Sequence, residues 1–93
     1  MSAPIWTDDD ESSILIIGPT EAPVIVSVER WGWSREGWSV CVAVGRGAWL
    51  KPFHRSGHKA PGHPSREAAK AAGLEALSAW LRTVAEQTSA AIR

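Results

Sequence analysis

The chain contains no tyrosine and no asparagine, only one cysteine, one methionine and one phenylalanine, and its 93 residues carry no net charge. Each shortage removes a class of protein. With Cys41 alone, no internal disulfide can form, which excludes a small secreted scaffold held by cystines. No apolar run approaches the roughly 20 residues of a membrane span. The N-terminus lacks the basic start and apolar stretch of an export signal, so a cytoplasmic protein without membrane contact is expected. A nucleophile elbow, a phosphate-binding glycine loop, a dinucleotide fingerprint and a zinc-protease helix are all missing. His54, His58 and His63 stand near Cys41 in the chain, but no paired cysteines accompany them in a zinc-finger spacing. Ser56 and Ser65 lie near the same histidines in a loop, and Asp8, Asp9 and Asp10 lie in a terminal stretch where no cleft positions a general base. The expectation is a non-enzymatic protein with no catalytic residue, metal or cofactor.

What is present is one long amphipathic stretch, from Ser65 to about Gln87. Pro52, Pro61 and Pro64 keep the preceding segment out of helix, Ser65 is a good N-cap, and Glu67 complements the free amides of the first turn. At 100° per residue, Ala69, Gly73, Leu74, Leu77, Trp80, Leu81 and Val84 share one stripe, with Glu75, Arg82 and Glu86 opposite. Thr88, Ala91 and Ile92 continue the phase toward the C-terminus. Gly73 interrupts the stripe at a cost of about 1 kcal/mol relative to alanine, which points to close approach of a strand.

Upstream, the pattern changes to period two. Ser13 to Gly18 is a short apolar run ended by Gly-Pro. Val24, Val26 and Val28 alternate with Ile25, Ser27 and Glu29; after a polar hairpin loop, Trp38, Val40, Val42 and Val44 alternate with Ser39, Cys41 and Ala43. Arg46-Gly47 makes a turn, and Ala48 to His54 reads as a returning strand that Pro52 confines to an edge. The predicted fold is α+β: an antiparallel three- to four-stranded meander with one long C-terminal helix packed on one face. Residues 1–11 read as a flexible acidic tail with Trp6 as a candidate anchor, and residues 12–93 as a single domain. The valine rows belong under the helix. The other face, with Ile25, Trp31, Cys41 and Ala43, is too apolar to stay wet and calls for cover by a partner, a homodimer mate or the N-terminal strand.

Two residue groups are candidates for binding. Arg30, Trp31, Trp33, Arg35 and Trp38 cluster at the central hairpin, and Trp and Arg dominate the energetics of protein interfaces. Among the six tryptophans, Trp80, Trp49 and one of the hairpin set are assigned to the core, leaving one or two exposed. Arg55, His58, Lys59, Arg66 and Lys70 gather around the last loop and the helix start, where free amides favour phosphate. All charges before Arg30 are acidic, while Arg30 to Lys59 is nearly all basic. That asymmetry fits either a charged partner or two parts folding against each other.

Residues 24–81 resemble the last three strands and helix of double-stranded RNA-binding domains. Ser65-Arg66-Glu67-Ala68-Ala69-Lys70 stands where that family carries a basic run, although the family's first helix has no counterpart. A three-stranded, plant-type DNA-binding domain is a similar match. The small size, the meander, the Pro-Ser-Arg-Glu-Ala-Ala helix start and the Gly/His-rich loop also resemble the small accessory proteins of phages and mobile elements, anti-CRISPR proteins among them. That likeness implies a non-catalytic inhibitor occupying the surface of a CRISPR effector complex in a bacterial host. The run Asp8 to Glu11 would then be a weak phosphate mimic. Direct binding of double-stranded nucleic acid through the basic group is the alternative.

Overall fold

A computed structural model describes residues 3–30, 37–59 and 61–93. Five strands run in sequence order as an antiparallel meander: β1 (Thr7–Asp8), β2 (Ser12–Ile17), β3 (Val24–Arg30), β4 (Trp38–Val44) and β5 (Lys51–Ser56). A single helix, α1 (Arg66–Ile92), completes the α+β fold. Its start follows from its cap: Ser65 has extended backbone, and its hydroxyl accepts the Ala68 amide at 3.0 Å. Among the described residues, no helix is long and apolar enough to cross a membrane.

The register pairs Val26 with Val42 and Val28 with Val40, and all four are fully buried. Leu15, Ala69 and Leu77 close the core around them. Burying side chains of this size contributes about 1.5–3 kcal/mol each. The helix lies low on these valines because Gly73 has no side chain. A Cβ there would stand 2.7 Å from a methyl of Val40 and 2.8 Å from one of Val26, closer than carbon atoms pack.

The predicted stripe holds at Ala69, Gly73 and Leu77, and Trp80 is half-buried with its ring stacked on Phe53 at 4.6 Å. It fails at Leu74, Leu81 and Val84, which are exposed. Leu74 stands about 100° round the helix from the buried Gly73, at the margin of the stripe. For Leu81 and Val84 the reason is length. From Ala69 to Trp80 the helix advances about 16 Å at 1.5 Å per residue, and beyond that point no described strand lies beneath it. Residues 81–93 are exposed throughout, and the molecule is 50 Å long against 27 and 23 Å in its other dimensions.

The N-terminal segment also departs from expectation. Thr7 and Asp8 form a strand paired with Ile14 and Ser13, while Trp6 packs against the core as the expected anchor. The acidic stretch is thus stitched to the sheet edge. β2 does not fold over the outer face but extends the sheet beside β3, so the outer face gains Ile14 and Ile16 instead of losing area. The segment from residue 48 is a 3-10 turn, Gly47–Trp49, before β5 begins. β5 is an edge strand, as Pro52 requires, and a bulge between Val42 and Ala43 leaves Phe53 free to meet Trp80.

Candidate functional site

Of the hairpin group, Trp31, Trp33 and Arg35 lie outside the described residues. Arg30 and Trp38 are paired across the hairpin base, but Trp38 faces the helix and is not free. The Arg66 guanidinium lies 4.7 Å from its ring centre and that of Arg30 5.7 Å, so the ring is held between two cations. Its backbone exchanges two 2.9 Å hydrogen bonds with His63. Trp38 therefore anchors the loop to the core.

The basic group is divided. Lys70 lies 3.1 Å from the Asp8 carboxylate and 4.8 Å from the centre of the Trp6 ring. Arg66 donates to the Asp10 carbonyl at 2.8 Å and to the Ser13 hydroxyl at 3.3 Å, with Asp8 4.0 Å away. The acidic and basic segments fold against each other here. Ser13's hydroxyl first, then Lys70, hold the Asp8 carboxyl below its usual range. Asp9 is likewise lowered, chiefly by the Glu11 amide: its carboxylate accepts the amides of Glu11 at 2.9 Å and Ser12 at 2.8 Å. Arg55 pairs with Cys41 on the face away from the helix, while His58 and Lys59 are exposed in the following loop. A shallow hollow lined by Asp9, Asp10, Glu11, Ser12, Glu29 and Arg30 lies at the end of the sheet where α1 begins.

Ser56 and His63 come within hydrogen-bond reach, 2.9 Å from Oγ to Nε2. No carboxylate orients the His63 ring among the described residues, and the pair closes the loop between β5 and α1. Among the described residues, no three of the His, Cys, Asp and Glu side chains converge as metal ligands would.

The residue that sequence reasoning misplaced is Trp49. Assigned to the core, it is 80% exposed, with Leu50 beside it 39% exposed. The turn that carries it is fixed by two glycines and two hydrogen bonds. Gly45 and Gly47 both take positive φ, 115° and 54°, and a Cβ on Gly45 would collide with the Trp49 carbonyl. The Gly45 amide bonds the Pro23 carbonyl at 3.0 Å, and Arg46 donates to the Thr20 carbonyl at 3.2 Å, locking this turn to the β2–β3 loop. The signal was available: Trp49 follows two closely spaced glycines, which mark a turn more strongly than a strand. No protein-family model, curated protein or solved structure matches this chain.

Proposed function

We propose that this chain is a non-enzymatic binding protein that acts by docking on another macromolecule, with the Trp49–Leu50 turn as its leading contact. The observation that carries this reading is the 80% exposure of an indole on a turn held by two left-handed glycines. A large, rigid apolar side chain presented this way loses little freedom on binding, and Trp is the residue type most enriched at interface hot spots. The charge arrangement favours protein over phosphate as the target. Arg66 and Lys70 are engaged by Asp8, Asp10, Trp38 and Trp6, Arg55 lies on another face, and the hollow beside Arg30 is acidic. A nucleic-acid surface needs those cations together and unpaired.

The specific target we propose is a CRISPR effector complex in the cytoplasm of a bacterial host, which the chain would inhibit by occupancy. The test is a plasmid-interference assay in bacteria carrying defined CRISPR systems. Expression of the chain should restore transformation by a targeted plasmid, and Trp49→Ala should remove that effect at equal protein level. Unrestored transformation across the systems tested would overturn the inhibitor reading. Full inhibition by Trp49→Ala would overturn the role of the turn. A salt-steep shift of bare duplex, abolished by reversing Arg55 and Lys59, would favour direct nucleic-acid binding instead.

A further inference from the structure

The outer face of the sheet is unusual for its type. An antiparallel sheet with one solvated side normally alternates apolar in and polar out. Here the register places Ile14, Ser27, Cys41 and Arg55 in one row across four strands, and Ile16, Ile25, Ala43 and Pro52 in the next. Ile16 is 59% exposed and Ile14 43%. From this geometry we infer that the outer face pairs with the same face of a second copy of the chain around a two-fold axis.

Charge selects the occupant. On β2 to β5 this face carries one acid, Glu29 on β3, and one base, Arg55 on β5, both exposed, with Ser27 and Cys41 between Arg55 and Ile14. Neither enters an ion pair with another described residue. In a two-fold contact each patch meets itself reversed, so Glu29 of each copy can meet Arg55 of the other, forming two ion pairs around an apolar centre. A nucleic acid would be repelled by Glu29 and gain little from isoleucine.

Size agrees. Four strands about 4.8 Å apart, six residues long at about 3.4 Å per residue, give a face on the order of 19 by 20 Å. Two such faces with their side-chain relief approach the low end of specific interfaces, roughly 1,200 Å² in total, which suits a dimer that dissociates in the micromolar range. Edge pairing is a poorer route, because β5 carries Lys51, Pro52, Arg55 and a bulge, the devices that block strand addition. The dimer would present two Trp49 turns and so raise avidity for a repetitive target, but it does not depend on that role.

Sedimentation of the full chain across micromolar concentrations tests the pairing, with thermal melts to confirm that each variant folds. Twice the chain mass is expected. Glu29→Arg and Arg55→Glu should each weaken association about tenfold or more, as loss of a matched interface charge does, and the double exchange should restore it. Ile16→Asp should leave a monomer. Should Ile16→Asp not fold, the charge series alone decides. A chain that is monomeric at every concentration overturns the proposal, as does a dimer indifferent to these substitutions. A dimer broken by Leu81→Asp but kept by Ile16→Asp would place the contact on the helix arm and overturn it equally.

Discussion

The two faces of the sheet are built from the same kinds of residue and do different work. On the inner face Val26, Val28, Val40 and Val42 are fully buried beneath α1. On the outer face Ile14 and Ile16 are open and interleaved with Ser27, Cys41, Glu29 and Arg55. At the middle of the inner rows stand four β-branched, uncharged valines; the outer rows mix isoleucines with Ser27, Cys41 and two charged residues, as interfaces between separate chains do. The same division runs along α1. Its first half rests on valines, and its second half, after Trp80, rests on nothing. Apolar character alone therefore does not separate what folds this chain from what it offers to a partner. Cover by α1 does.

Substitutions should split along this line. Leu77→Asp places an unpaired carboxylate against the valine core and should cost more than about 4 kcal/mol, enough to unfold a domain of this size. Ile16→Asp should change the monomer's stability by less than about 1 kcal/mol. Equal melting of the two in dilute solution would erase the distinction between faces. Next in size, Gly73→Leu should destabilise by about 1–3 kcal/mol, because overpacking against Val26 and Val40 outweighs the gain in helix propensity. A stabilised variant would mean that the helix does not lie close to the strands.

Acid acts on the N-terminal stitch. Asp8 and Asp9 are held below their usual values when folded, so their contribution is present above about pH 4 and is lost as pH falls through the lowered values. Asp8→Asn should flatten the decline of melting temperature below about pH 4, and an unchanged decline would remove Asp8 from the account. Smallest of all, Trp49→Ala should alter stability by no more than about 0.5 kcal/mol, whatever it does to binding. A large drop in melting temperature would return Trp49 to the core.

Much of the fold was legible because period and punctuation agree. The Ser65 cap, the valine alternation and the Gly73 gap each predicted the contact that the structure shows. Leu81 and Val84 misled for a definable reason: the helical phase says which way a side chain points, not whether a sheet is present at that height, whereas Leu74 was simply too far round the helix from Gly73. Thr7 and Asp8 were missed because a two-residue strand has no period, and the ion-pair partner of Asp8, Lys70, is far away in the chain. The basic group is divided on the same account, since Asp8 lies against two of its members, Arg66 and Lys70. Trp49 was misplaced because alternation was extended backward from β5 across a glycine turn.

Amide hydrogen exchange along α1 tests most directly whether the valine face alone anchors the fold. Unsupported helices of about 12–15 residues are marginal in water, and amides over a core open only with the whole domain. Residues 73–80 should therefore exchange roughly 100-fold more slowly than residues 84–92 in dilute monomer. Uniform protection to Ile92 would show that the far half of the helix is held by something other than this sheet, and would contradict the division on which the account rests.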